Sequence, residues 1–237
     1  MRVLIGGGIG DGIGETSDRA GQDGRLGNGD LETLYAAPST PWLRVNMVST
    51  LDGAVTGESG RSGAISNDVD RRVFDLLRSL ADVVVVGAGT ARVEGYRPAD
   101  LPIVVVSRSG RLPEKLRGVE PGRVILATCQ HAPELAETRE LLPAGDILLL
   151  GSHRVDLSAM RRRLEERGFE HILCEGGPHL LRDLLDQGVV DELDATVVPR
   201  LVSGLHPRVT DGPPIDVPLR LSTLLEEKGT LLGRWLV

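Results

Sequence analysis

The sequence predicts an α/β fold: a mostly parallel central sheet with helices on both faces and an antiparallel C-terminal edge. Three observations carry this. Five short runs, DVVVVG (82–87), PIVVVS (102–107), RVILAT (123–128), DILLL (146–150) and HILC (171–174), are continuously apolar and rich in β-branched residues. That is the pattern of strands buried on both faces. Helical periodicity alternates with such runs, as in a parallel sheet built from crossover connections. Two late runs, ELDATVVP (192–199) and the final GTLLGRWLV, have no helical pattern between them, which suits a hairpin or an antiparallel edge.

In chain order, residues 1–35 are glycine-rich and polar, with little to bury. They are expected to form a flexible arm, with LETLYAAP (31–38) a short helix docking it. No register of its glycines satisfies GxGxxG, so the VLI before them does not open a dinucleotide fingerprint. A single domain is expected over 36–237. LRVNMVS (43–49) alternates and predicts a strand. AISNDVDRRVFDLLRSLA (64–81) predicts a helix capped by Ser66 or Asn67, with Val69, Val73, Leu76, Leu77 and Leu80 on one stripe. VDLSAMRRRLEERG (155–168) predicts another. Asp156 is its N-cap, Leu157, Met160 and Leu164 share a face, and Gly168 stands at the C′ position.

The net charge of −7 over 237 residues argues against a nucleic-acid binder, which would present a basic face. It leaves room for a local basic pocket. No apolar run approaches the ~20 residues of a membrane helix, and the N-terminal VLI is too short for a signal-peptide core. The two cysteines, Cys129 and Cys174, lie in apolar strand-like contexts without a CxxC. Buried thiols in a reducing compartment, and hence a cytoplasmic protein, are expected. His171, Cys174 and His179 match no zinc spacing, so no metal is expected. The zinc-deaminase and GxSxG signatures do not occur.

Open parallel sheets bind ligands at the carboxyl ends of their strands. After 82–86 comes GAGTARVEGYRP, where Gly87 and Gly89 permit close backbone approach and Thr90 opens a short helix. After 171–174 comes EGGPHLLRDLL. Gly176 and Gly177 there would cradle a phosphate, and Pro178 suits a first helical turn. Two such loops point to a dinucleotide. After 102–106, Ser107 and Arg108 are candidates for a cofactor 2′-phosphate, favouring NADPH over NADH. Asp52, in LDG, is read both as a turn former and as a second catalytic carboxylate.

RVNMVSTLDGAVTGESGRSGAIS, LLRSLADVVVVGAGTARVEGYRP and ILCEGGPHLLRDLLDQGVVDEL, in this order, resemble the pyrimidine reductase family of riboflavin biosynthesis. This is the reductase half of the bifunctional deaminase–reductase, and the resemblance spans about 36–237, without the deaminase half. It implies a dihydrofolate-reductase-like fold and a homodimer. It also implies NADPH-dependent reduction of the ribosyl side chain of 5-amino-6-(5-phosphoribosylamino)uracil to the ribityl form. Carried over by position, it puts substrate contacts on Ser62, Arg78 and Glu175, with Arg97 the nearest match to a further arginine. Cofactor contacts fall on Val48, Ala64, Thr90, Ser107 and Gly176, Gly177, Pro178, His179 and Leu180. Glu94 replaces an aspartate common in the family, Ala64 replaces a tryptophan, and Val155 is placed to pack on the adenine. Glu175 would position the pyrimidine or relay the proton that ring opening needs. Arg78, aided by Ser62 and Arg97, would hold the 5′-phosphate. A pteridine reductase, for a substrate such as dihydrofolate, and a non-catalytic NADPH-binding protein are the alternatives. The late strands are expected to offer the dimer a sheet edge.

Overall fold

The computed structural model describes residues 1–6 and 26–237. Its strands are β1 (Arg2–Gly6), β2 (Trp42–Thr50), β3 (Val83–Gly87), β4 (Ile103–Val106), β5 (Val124–Thr128), β6 (Ile147–Leu149), β7 (His171–Cys174), β8 (Glu192–Val198), β9 (Arg220–Glu227) and β10 (Thr230–Leu236). Its helices are α1 (Asn28–Tyr35), α2 (Asp68–Ser79), α3 (Ala88–Glu94), α4 (Leu135–Leu141), α5 (Leu157–Glu165) and α6 (Pro178–Asp186). These strands form one sheet in the order β1-β9-β10-β8-β2-β7-β3-β4-β5-β6. Pairs from β8 through β2 to β6 are parallel. Those joining β8, β10, β9 and β1 are antiparallel. The expected class is the observed one, and the five buried runs are β3 to β7.

The path of the chain decides where a ligand can bind. It leaves β6 at one edge of the sheet, crosses through α5, and re-enters as β7 between β2 and β3. The carboxyl end of β7 therefore lies at a switch of winding direction, the place where open α/β sheets hold ligands. Alternation along the strands builds the two faces. Val83, Val85 and Cys174 pack against Leu157, Met160 and Leu164 of α5 and Leu181 and Leu184 of α6. On the other face Leu173 meets Val69, Val73 and Leu77 of α2, while Val86 and Val105 meet Ala91 of α3. Each fully buried aliphatic side chain contributes roughly 1.5–3 kcal/mol.

Local chemistry sets the helix ends. Asn67 caps α2 by accepting from the backbone N–H groups of Val69 and Asp70, both at 3.0 Å. Ser66 instead donates to Asp70 Oδ2 at 2.6 Å. Residues 62–64 form a separate 3-10 turn, so the helix expected over 64–81 is shorter at both ends. Asp156 caps α5 through Ala159 N at 2.7 Å, and Gly168 takes φ +84°, both as the sequence predicts.

Two expectations are corrected. The described parts of the expected arm, 1–6 and 26–35, belong to the packed structure, while residues 7–25 lie outside the described residues. Strand β1 pairs with β9, and Met1, Leu26, Leu31 and Tyr35 are buried with Leu77, Leu173 and Leu225. These are among the few apolar residues of a glycine-rich stretch, and they are the ones that dock it. The C-terminal end of α1 is fastened by two buried arginines. Arg44 Nη2 donates to Tyr35 O at 2.7 Å, and Arg234 donates to Leu34 O and, at 3.0 Å, to Ala36 O. Fully buried Glu192 balances them, 2.7 Å from Arg234 Nη2. The second correction concerns the sheet edge. Strand β8 pairs on both sides, with β2 and β10, and β1 covers β9. Among the described residues, then, β8 and β10 offer a second copy no free edge, and β1 covers Thr223–Glu226 of β9.

Candidate active site

In spatial order β2, β7, β3 and β4, the carboxyl ends of four parallel strands bring the expected residues to one edge of the sheet. At the centre is Glu175, directly after β7, its side chain only 3 % exposed. Its backbone N–H donates to Val85 O at 2.9 Å. A carboxylate so deeply placed needs donors. Arg78, in the last turn of α2, supplies a fork: Nε to Oε1 at 2.6 Å and Nη2 to Oε2 at 2.8 Å. Tyr96 donates its hydroxyl to Oε2 as well. The guanidinium stands 4.6 Å from the Phe74 ring centroid, a cation–π contact. The hydrogen bond to Glu175 raises the Arg78 pKa against the opposing effect of burial. Burial, then the charge of Glu175, holds the Tyr96 hydroxyl protonated far above its ordinary range.

This cluster revises the expected roles. Arg78 and Arg97 do share a cavity, of about 540 Å³, which Tyr96 also lines. The Arg78 fork, however, is committed to Glu175, because a buried carboxylate claims the nearest guanidinium. Of the two arginines, Arg97 is the exposed one. Tyr96 escaped the sequence reading. Its one signal was rarity, an aromatic directly after the threonine-containing turn in a chain with two tyrosines.

Ser62 and Glu94, expected on different ligands, touch one another. Ser62 N donates to Glu94 Oε1 at 2.8 Å, tying the end of α3 to the turn 62–64. Asp52 is occupied by its turn. It accepts from Thr50 Oγ1 at 2.5 Å, Ser203 N at 2.8 Å and Val202 N at 3.2 Å. Those bonds, led by the Thr50 hydroxyl, lower its pKa. They run to the end of β2 and to the loop after β8, and not to Glu175, so of its two readings the turn former is the one its contacts match.

The glycines answer first to packing. Gly176 has φ +77°, and a Cβ there would lie 2.7 Å from Met47 Sδ. A Cβ on Gly177 would lie 2.3 Å from Thr90 Oγ1. Both positions are buried, and Gly87 N donates to Gly176 O at 2.8 Å, joining the ends of β3 and β7. The junction then opens α6 with Pro178 at its start and no side-chain cap, which leaves first-turn N–H groups for an anion. His179 Nδ1 lies 2.7 Å from Asp211 O, and Leu180 is buried. An added Cβ at Gly63 or Gly89 meets nothing within 4 Å, so space opens on that side.

The remaining cofactor candidates divide. Val48 is half-buried, and Ala64 and Arg108 are exposed. Ser107 is buried, its carbonyl accepting from Thr128 Oγ1 at 2.7 Å. Val155 is packed into the core with α5; its burial leaves little surface for an adenine. Beside α3 lies a cavity of about 240 Å³ lined by Arg92, Ser109, Arg111 and Lys115. The sequence reading missed these three cations, which come from two separate segments. The uncapped start of α6 leaves backbone donors for an anion, and the cavity beside α3 carries these three cations together with the carboxylate of Glu114. Among the described residues no group of three or more His, Cys, Asp or Glu is arranged to hold a metal ion, and no helix is long and apolar enough to cross a membrane.

Comparison with known proteins bears on the family and the fold. The chain is 31% identical over 192 residues to the 2,5-diamino-6-ribosylamino-4(3H)-pyrimidinone 5′-phosphate reductase of Archaeoglobus fulgidus, covering 73% of this chain and 87% of that protein. It is 31% identical over 188 residues to the protein of the same name from Methanothermobacter thermautotrophicus, covering 74% and 86%. A pyrimidine reductase-like protein from Corynebacterium diphtheriae shares the fold, with a TM-score of 0.68 at 23% identity over 83% of this chain and 92% of that one. The Saccharomyces riboflavin biosynthesis reductase also shares it, with a TM-score of 0.60 at 15% identity over 83% and 90%. The family model described as the RibD C-terminal domain matches residues 41–230, and the chain belongs to that family.

Proposed function

We propose that this chain is an oxidoreductase of riboflavin biosynthesis that uses NADPH. Its substrate is a 6-ribosylaminopyrimidine 5′-phosphate, and it reduces the ribosyl group to ribityl. The observation that carries the reading is a junction of consecutive residues. Pinned Glu175 is followed by two buried glycines and the uncapped start of α6. In this reading Glu175 faces the substrate, and the free backbone N–H groups at the start of α6, beyond Pro178, face an anion. We assign the 2′-phosphate to exposed Arg108 or to the cavity cations Arg92, Arg111 and Lys115, since Ser107 is buried. The 5′-phosphate of the substrate is assigned to Arg97.

The chemistry asks three things of the chain. The ribose ring must open so that C1 becomes an imine carbon. The hydride that bound NADPH supplies must meet C1, and a proton must reach the nitrogen. Glu175, held by the Arg78 fork, is a fixed acceptor that orients a donor group of the pyrimidine. The buried free thiols of Cys129 and Cys174 are consistent with a reducing cytoplasm, and a homodimer is part of the same reading.

The test is loss of nicotinamide absorbance with three substrates in parallel. They are the 2,5-diaminopyrimidinone, after which the archaeal relatives are named, the corresponding 5-aminouracil, and dihydrofolate. Turnover of either ribosylaminopyrimidine phosphate is expected, and the faster one fixes whether ring position 2 carries nitrogen or oxygen. Turnover of dihydrofolate alone would make this a pteridine reductase. No turnover with tight NADPH binding would leave a binding protein.

A further inference from the structure

Glu175 has two oxygens and room for about four donors. Three are visible. Oε1 accepts Arg78 Nε, while Oε2 accepts both Arg78 Nη2 and the Tyr96 hydroxyl. Oε2 is therefore full, and Oε1 has one lone pair left. We infer that Tyr96 is a positioning residue: by saturating Oε2 it leaves Oε1 as the single oxygen that accepts a hydrogen bond from the bound substrate. The inference rests on the functional reading above, in which Glu175 faces the pyrimidine.

Three features of the surroundings support this. Tyr96 follows Gly95, which ends α3 in the left-handed conformation at φ +76°. That turn aims the ring back over the sheet, and Tyr96 N bonds to Ala91 O at 2.9 Å. The hydroxyl, buried beside a carboxylate, stays protonated across the working pH range and so remains a donor. Tyr96 also lines the cavity that holds Arg78 and Arg97. It thus bonds the carboxylate that would orient the base and lines the same cavity as the cation assigned to the phosphate. Arg78 alone would fix the plane of the carboxylate yet leave one lone pair on each oxygen. A pyrimidine donor would then have two alternative acceptors and two poses, only one of which brings C1 to the hydride.

The experiment is a double-mutant cycle on kcat/KM with Tyr96→Phe and Glu175→Gln, using the better pyrimidine substrate. Tyr96→Phe keeps the ring, so folding is checked by thermal unfolding and by NADPH affinity, both expected near wild type. In the wild-type background it should lower kcat/KM by roughly ten- to a hundredfold, mostly in kcat, because the base still binds but in mixed poses. In the Glu175→Gln background it should change kcat/KM less than about twofold. Equal losses in both backgrounds would show that Tyr96 serves packing, and no loss in either would show that Oε2 need not be filled. If Tyr96→Phe fails to fold, Tyr96→Trp, whose indole N–H can donate, is the second variant, and its failure to retain more activity than Tyr96→Leu overturns the inference. Absence of turnover by the wild type with either pyrimidine overturns the functional reading and this inference together. An active wild type with an additive cycle overturns this inference alone.

Discussion

Arg78 illustrates how a residue keeps its place and changes its task. It lies in the cavity with Arg97, but two of its donors belong to Glu175. Truncation to alanine leaves that carboxylate buried without its counter-charge, so the damage passes through Glu175. Arg78→Ala is therefore expected to lower kcat/KM by a similar factor for the phosphorylated substrate and its dephosphorylated analogue. Arg97→Ala should differ, costing roughly ten- to a hundredfold on the phosphorylated substrate, the range of a charge-assisted contact, and little on the analogue. A selective loss in Arg78→Ala, measured on the same pair of substrates, would return the phosphate to Arg78. Gly177 carries a similar lesson. A larger side chain there meets Thr90 Oγ1 before it meets any ligand, so weak NADPH binding by Gly177→Val would not by itself locate the pyrophosphate.

At the scale of elements, the N-terminal segment behaves as part of the sheet. Strand β1 covers the edge of β9, and Met1 and Leu26 are each 6 % exposed. Deleting residues 1–30 removes both side chains from the core and uncovers a strand edge. The expected loss is roughly 3–6 kcal/mol from the two side chains at about 1.5–3 kcal/mol each, read by urea unfolding of the truncated protein. Exposure of β9 should also promote association. A truncated protein as stable as the full chain would restore the arm expected from composition.

Across the whole molecule, the face beneath α1 and α2 carries a buried polar layer that the reaction does not use. Asp194 lies between Asn46 of β2 and Arg234 of β10; it is 3 % exposed and neither of its oxygens has a hydrogen-bond partner. Burial, then the charge of Glu192, pushes its pKa well above 3.8. The folded protein thus keeps a proton that the unfolded chain releases above about pH 4. Its contribution to stability is fully present below the unfolded pKa and is lost as pH rises toward the folded one. Asp194→Asn mimics the protonated form. It should raise the melting temperature at pH 7 to 8, with the gain shrinking toward pH 4. A gain independent of pH would show that the ionisation of Asp194 is not its source, and a loss at neutral pH would show an ion-paired carboxylate instead.

What the sequence determined by itself was local or periodic. The β-branched runs became β3 to β7, Asp156 and Asn67 became helix caps, and the carboxylate–glycine junction at 175–177 became the turn from β7 into α6. Such features follow from backbone preference and from which side of an element is apolar, and both are written within a few residues. The tertiary structure decided the partners. Glu175 meets Arg78 97 positions away and Tyr96 79 positions away because the α5 crossover returns β7 to the middle of the sheet. Strand β1 has no strong pattern of its own and became a strand because β9 presented an unpaired edge. Arg44 and Arg234 read as ordinary polar residues in otherwise apolar strands, until the docking of α1 gave their guanidinium groups backbone carbonyls to bond. Which donors saturate a buried acid depends on which elements the fold places side by side, and that information is spread over the whole chain.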